Sequence, residues 1–501
     1  MGITSPLQRS VIASTGFAAA AALIGLAKRR SFRGLIVASA LLLFVNVADA
    51  QTRCLSITDH GGNGNGIADN TVAFNTTAAL LAVNGGCIAF PPGTYLFNSA
   101  LALSYPASVY AVTLLGAGAD NTILYFPSSN GIAVTLQTAA LNNQAIHVRN
   151  LTFATGDSSG GYSALTLSLP GCLSPFGESD IVDTTFRGVD GQAQKDYWAL
   201  GVNVLGVSNI NFEGDLFYGN SGGTGGTGIS FAGPSGCGSA DVVANSAQKR
   251  VHVVHQTGAR LVNAANISRP GNKTAASPSA SSSCSSGCSS SGGIPYGVVY
   301  AISQSGFFKL NVGVNYGTYI QGVTIAQSNF INDTTGIEVA AGAIGPTQLA
   351  VSGSVFNCTG ANCTGYPVDV EAGVAAITMN GNLINVSPNG VGVNFHSGLG
   401  DQNSFINNVF AGSGTTATGT GILVSLPSEA ISCPTPETIQ EVIFYTNVMG
   451  NVFYNLATGV NLTDAIYWNV QANTYDTSVV TQVLNSNPSY APYNKVGVIS
   501  N

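Results

Sequence analysis

Three carboxylates stand where they could work together. In Gly336-Ile337-Glu338-Val339, strand alternation puts Ile337 and Val339 inside and Glu338 outside. In Val368-Asp369-Val370-Glu371, the valines point in, and Asp369 and Glu371 point out. In Val393-Asn394-Phe395-His396, the outward pair is Asn394 and His396. If these phrases occupy neighbouring strands, about 4.8 Å apart, then Glu338, Asp369 and either Asn394 or His396 line one exterior ladder. Glu371 lies beside them. Two carboxyl groups so close repel, and one of them holds its proton. That split supplies an acid and its partner. A separation of about 5–5.5 Å suits retaining glycoside hydrolysis, and about 6.5–9.5 Å suits inversion. The same oxygens could instead hold Ca²⁺, or be solvated charges on a hydrophilic face. The residues leave all three readings open, and no other cofactor is expected.

Further candidates are weaker. Glu213 and Asp215, in Asn211-Phe212-Glu213-Gly214-Asp215, read as neighbours on one side of a strand and, with Asn394 and His396, as substrate-binding positions. Lys249, Arg250 and Arg260, with His252 and His255, form a basic neighbourhood that could hold an anionic sugar or be ordinary surface. Tyr197 and Trp198 could stack on a sugar ring or be packed.

Such residues meet only if short strands stack. The composition favours this, with 62 Gly in 501 residues and only 8% charged side chains. Charge so low excludes helical bundles and coiled coils. Sixteen basic against 23 acidic residues leave no surplus to neutralise phosphates, so nucleic acid is not an expected partner. From about residue 146 a phrase repeats: an apolar strand, Asn, Asp or Ser, a Phe-like residue, a polar turn, then Gly and another strand. Its instances are Asn150-Leu-Thr-Phe153, Asp183-Thr-Thr-Phe186, Asp215-Leu-Phe217, Ser328-Asn-Phe330, Ser354-Val-Phe356, Asn382-Leu-Ile384, Asn408-Val-Phe410 and Asn451-Val-Phe453. From Phe330 the spacings are 26, 28, 26 and 43. A β-rich period in the twenties marks a solenoid. One coil cannot bury its apolar side alone, so coils stack, with a Phe column inside and an Asn column at the turns bonded along the axis.

Residues 59–118 resemble the opening of the pectate lyase 3 family, whose members are right-handed parallel β-helices related to rhamnogalacturonases and polysaccharide epimerases. The resemblance rests on three motifs in order: Asp59-His-Gly61-Gly-Asn-Gly64-Asn-Gly66-Ile-Ala-Asp69-Asn-Thr71-Val-Ala73-Phe74, then Gly85-Gly86-Cys-Ile-Ala-Phe90-Pro91-Pro92-Gly93-Thr94-Tyr95, then Leu114-Leu-Gly116-Ala-Gly118. It departs at Asn65 and Asn70, where the family usually has Asp, which argues against a cation in that loop. Asp69, Asn70 or Thr71 can cap a helix over residues 72–81 that covers the open end of the solenoid. The expected fold is all-β: a right-handed parallel β-helix with an N-terminal capping helix. The paired-aspartate strings and the arginine base of better-known relatives are not found in this chain, so the resemblance implies a carbohydrate-directed role without a reaction.

The chain divides into 1–50, a signal peptide or anchoring leader; 51–145, the cap and first coils; 146–269, coils; 270–293, a Ser-rich flexible insertion; and 294–501, coils and the C-terminal end. Basic Lys28 to Arg33, an apolar run from Leu35 to Val47 and Ala48-Asp49-Ala50 are the parts of an export signal. Cleavage after Ala50 would remove five basic residues and one acid, taking the net charge from −7 to −11. A membrane is a partner only if the leader stays. All nine cysteines follow residue 50, as suits a secreted, cell-surface or periplasmic protein. Cys54 with Cys87, Cys284 with Cys288, and Cys358 with Cys363 are candidate pairs. Two functions fit: an exported enzyme cleaving a polysaccharide by hydrolysis or β-elimination, led by Glu338, Asp369 and Glu371, or a non-catalytic adhesion module that binds glycan along the solenoid face.

Overall fold

Apolar residues at every second position make strands, and left-handed residues at fixed intervals make the corners. In the computed structural model, one coil runs through Ile320–Ala326, Asn329–Ile331 and Thr335–Val339. The next runs through Gln348–Ser352, Val355–Asn357 and Val368–Val370, and the one after through Ala376–Asn380, Leu383–Val386 and Val391–Phe395. Each strand pairs in parallel with its counterpart one coil on, forming three ladders. The third ladder has twelve strands, from Leu101–Ser104 to Thr481–Leu484. The molecule is a parallel β-helix. The described residues lie between Cys54 and Ser500, with breaks, the longest at 234–296. The leader, the basic neighbourhood at 249–260, the Ser-rich insertion and His396 fall outside them. Across the longest break, Ile210–Glu213 pairs with Gly297–Ser303, so the chain re-enters one coil further along.

The interior is built of stacked columns. Phe153, Phe186, Phe217, Phe307, Phe330 and Phe356 stack ring on ring, with centroids 4.6–5.2 Å apart and planes within 5°. Ile384 continues the register, and Phe410, Phe453 and Tyr475 follow. Glycines at the start of the third-ladder strands make room for these rings. A methyl on Gly336 would lie 2.8 Å from Phe356 Cδ1 and 2.6 Å from the Pro367 carbonyl oxygen. The Gly that recurs at this position, as Gly201, Gly228, Gly313, Gly336, Gly392, Gly421 and Gly459, is therefore a packing requirement.

The turn between the first and second ladders carries a polar column. Each side chain accepts from the backbone N–H of the rung before it: Asp215 from Thr184, Ser305 from Asp215, Ser328 from Ser305, Ser354 from Ser328, Asn382 from Ser354, and then Asn408, Asn451 and Asn473 in turn. The asparagines also donate inward: Asn382 Nδ2 reaches the Val351 carbonyl at 3.0 Å, and Asn451 Nδ2 reaches that of Phe405 at 2.8 Å. The sequence alignment is corrected at two rungs. Asn150 and Asp183 are not in this column. They hold the preceding left-handed corner, at φ 58° and 50°, and Leu151 and Thr184 take the rung. Asn and Asp tolerate left-handed φ, so either position accommodates them and the sequence phrase alone does not distinguish the two.

Thr71–Leu81 is the expected helix. Asp69 Oδ1 accepts from the Thr71 N–H, and Ala73, Phe74, Thr77 and Leu81 are buried. Phe74 meets Phe90 and Phe97, so the helix closes the interior column from one end. A Cys54–Cys87 disulfide ties the first strand to the second rung of its ladder. Asn70, one of the two departures from the acidic motif, is buried and takes part in four hydrogen bonds with backbone groups. Its role there is structural.

Candidate functional site

The outward positions of the third ladder form one file. In register it reads Asn203, Ser230, Asn315, Glu338, Asp369, Asn394, Leu423. The file brings together Glu338, Asp369 and Asn394 as the sequence phrases require. Asn394 Nδ2 donates to Asp369 Oδ1 at 3.1 Å. Glu371 follows the strand end, its N–H bonded to the Val339 carbonyl. Glu338 is half-buried. Burial is the largest influence on its carboxyl, and the charges of Glu371 and Asp369 add to it, so it titrates above the ordinary glutamate range. The Tyr366 hydroxyl is pushed up too, by burial and then by the charge of Asp369. One rung before Glu338, Asn315 Oδ1 is buried with no hydrogen-bond partner among the described residues.

The solvent exposure expected along this file is not uniform. Asp369 is only 7% exposed and Asn394 3%. The register was read correctly, but these two side chains are covered rather than solvated. Glu338 and Glu371 are the acids of the group that retain partial exposure. His396 lies outside the described residues. Among the described residues, no three His, Cys, Asp or Glu side chains come together in a way that could hold a metal ion.

Glu213 and Asp215 do not share a face, which corrects the second candidate. The strand Ile210–Glu213 ends at Glu213, and Gly214 turns the chain at φ 71°. Glu213 is left exposed, while Asp215 enters the turn column with no exposed surface. Burial holds the Asp215 carboxyl well above the usual range, despite its bond from the Thr184 N–H. Its Oδ2 has no partner among the described residues. Trp198 is packed, its Nε1–H donating to the Phe153 carbonyl at 3.2 Å. Tyr197 is partly exposed at a loop, against Gly160 and Gly225.

The sequence reading passed over one cluster. On the first ladder, Thr113, His147 and Asp180 are successive register partners. His147 Nδ1 lies 2.8 Å from Asp180 Oδ2, and Arg149 grips the same carboxylate through Nε at 2.8 Å and Nη2 at 2.6 Å. Burial raises the Asp180 carboxyl, but the bonds from His147 and Arg149 outweigh it and hold the group at about 2. The signal was present in Ile146-His147-Val148-Arg149, whose alternation turns both basic residues outward, 33 residues before Asp180.

No family model matches this chain, and no curated protein matches it. Among solved structures it is similar to the A-module of mannuronan C-5 epimerase AlgE4 from Azotobacter vinelandii, at 14% identity over 86% of this chain and 98% of that one, with a TM-score of 0.43. It is similar to PfbA, a surface adhesin of Streptococcus pneumoniae, at 14% identity over 85% and 90%, with a TM-score of 0.45. A third is the catalytic unit of a GH87 α-1,3-glucanase from Streptomyces thermodiastaticus, at 14% identity over 87% and 68%, with a TM-score of 0.39. Likeness at this level carries no chemistry to the chain.

Proposed function

We propose that this protein hydrolyses a polysaccharide on the outer face of its third ladder, with Glu338 as general acid. The observation that carries the reading is the in-register file of Asn315, Glu338, Asp369 and Asn394, in which burial first, and then the charges of Glu371 and Asp369, raise the carboxyl of the half-buried Glu338. A raised carboxyl holds its proton to higher pH than an ordinary glutamate, and so can give it to a leaving glycosidic oxygen. Glu371, partly exposed beside it, is the partner that acts on water or on the sugar. Asp369, covered and bonded to Asn394, positions the pair. Asn315, partly exposed one rung before Glu338, offers its side-chain amide to a sugar hydroxyl. A site lined by acids repels uronates, so the favoured substrate is a neutral glycan. Hydrolysis is favoured over β-elimination because no basic side chain of the described residues joins this file. The opening motifs resemble those of carbohydrate-directed β-helices, which supports a glycan as substrate and says nothing of its charge.

A second reading, a glycan-binding module without turnover, is favoured by one observation: Asp369 and Asn394 are almost fully covered. Reducing-end release from a panel of neutral and acidic polysaccharides separates the two. The proposal expects release from a neutral glycan, lost by about 10²-fold or more in Glu338→Gln with melting unchanged. Equal release by both proteins would dismiss the site. Retention on the glycan without any release would favour the binding module.

A further inference from the structure

On a different ladder from the acidic file, three outward residues occupy consecutive rungs in a chemically meaningful order. Thr113 is the register partner of His147, and His147 is the register partner of Asp180. Neighbouring strands lie about 4.8 Å apart, so Thr113 occupies the rung on one side of His147 and Asp180 the rung on the other; the Asp180 carboxylate is bonded to the ring, and the Thr113 hydroxyl is not. The imidazole is turned to the carboxylate: His147 Nδ1 is 2.8 Å from Asp180 Oδ2. Arg149 holds both oxygens of that carboxylate, which fixes its plane and keeps it ionised. An ionised Asp180 accepts a hydrogen bond from His147 Nδ1–H, so in the neutral imidazole the lone pair lies on Nε2. The far edge of the ring, which carries Nε2, is directed away from Asp180. No partner for Nε2 exists among the described residues.

The surroundings suit a ligand. The His147 and Asp180 side chains are 24% and 17% exposed, enough to be reached and little enough to be held. The neighbouring file along the same strands reads Leu115, Arg149, Val182, so two partly buried apolar side chains flank the reactive file. Among the described residues, the exposed Glu178 precedes Asp180, Asp183 follows Val182, Glu213 lies one rung beyond Val182, and the buried Asp215 feels the charges of Asp183 and Asp180. Among the described residues, His147 and Arg149 are the only basic side chains that share a strand.

We propose that Thr113, His147 and Asp180 form a second reactive centre that removes acyl esters from sugar hydroxyls. Nucleophile, base and orienting carboxylate in this order are the arrangement that acyl transfer needs, whatever the fold that holds them. In the first half, the Thr113 oxygen bonds to the acyl carbon while its proton passes to His147 Nε2. The carbon–oxygen bond to the sugar then breaks, and His147 returns the proton to the departing hydroxyl. In the second half, water gives its proton to His147 and attacks the Thr113 ester. The carboxylic acid leaves, and the threonine hydroxyl is restored. Asp180 touches no substrate; it is a positioning residue, and Arg149 steadies it. The small acyl group lies against Leu115 and Val182.

The test is independent of the acidic file because it reads released carboxylic acid and not reducing ends. The whole protein is incubated with p-nitrophenyl acetate and with O-acetylated xylan, and the peptide bearing Thr113 is examined by mass spectrometry after a brief acid quench. The expected result is acetate release with one acetyl group on Thr113. His147→Gln is expected to lower release by about 10²-fold or more, and Thr113→Ser to retain part of it. The near-isosteric Thr113→Val should abolish the adduct with melting unchanged. Asp180→Asn should lower kcat at near-constant KM, since it disturbs the base and not binding. Equal acetate release by the wild type and by folded His147→Gln or Thr113→Val, or acetyl found only on other residues, would overturn the proposal. So would the absence of release above the buffer rate.

Discussion

Glu338 and Asp215 invite comparison. Both belong to in-register files of polar residues, both are surrounded by packed backbone, and burial is the first reason each titrates high. They differ in what else reaches them. Glu338 lies on the outer face of the third ladder, with other carboxyls as neighbours and part of its surface open. Asp215 is sealed in a turn, one oxygen bonded to the Thr184 N–H and the other unpartnered. Desolvation alone thus raises a carboxyl without making it useful. What distinguishes a site is access together with a second titrating group. Asp333 repeats the lesson: it is buried, with Oδ1 bonded to the Leu310 N–H and Oδ2 without a partner among the described residues.

If the turn column is structural and the outer file functional, each should fail in its own way. The largest stability effect belongs to the turn column. Asn451 accepts from the Asn408 N–H and side chain, and it donates to the Phe405 carbonyl and to Asn473. Asn451→Ala leaves several of these buried groups unpaired, and we expect a loss of roughly 2–4 kcal/mol by denaturant unfolding. A loss under half a kcal/mol would show that the column is ornamental.

Asp215→Asn works in the opposite direction. Every Asn in the column donates its Nδ2–H to a strand carbonyl one coil back, and an ionised Asp215 has no hydrogen to give there. Its folded pKa is raised, so the native state binds the proton more tightly than the unfolded chain. The wild type therefore loses stability as pH rises from the ordinary carboxylate range toward the raised folded value. The Asn variant escapes that loss. It should be the more stable protein at neutral pH by about 1–3 kcal/mol, and the difference should shrink as pH falls through the ordinary carboxylate range. A difference that does not change with pH would contradict a protonated Asp215.

The smallest effect sharpens the outer file. Glu371→Gln removes one of the charges that raise Glu338, so the Glu338 carboxyl should titrate lower, seen by carbon-detected NMR of the side chain. Burial is the larger cause and remains, so the shift should be partial. Stability should stay within about 0.5 kcal/mol, as for a substitution away from packed groups.

Much of this was legible in residues alone. The alternation in Gly336-Ile337-Glu338-Val339 and its two successors placed Glu338, Asp369 and Asn394 in one file, because strand period and coil stacking leave little freedom of register. Phe330, Phe356 and Phe410 announced the interior column. What failed was local. Gly214 could have been read as strand or corner, and its positive φ sends Asp215 inward. Asn150 and Asp183 fit a left-handed corner as well as a polar rung. Strand alternation sets the side that Asp369 and Asn394 face and not whether that side is covered, so their burial was not legible. Thr113, His147 and Asp180 were missed because each is ordinary alone, and their order emerges only when three coils are aligned.

The most direct measurement is a crystal structure of the Glu338→Gln protein with a neutral oligosaccharide taken from the polymer that the wild type cleaves. The account predicts a sugar lying across the third ladder, its glycosidic oxygen within hydrogen-bond distance of residue 338 and a hydroxyl at Asn315. A sugar bound on another face, with the file from Asn315 to Asn394 untouched, would contradict it.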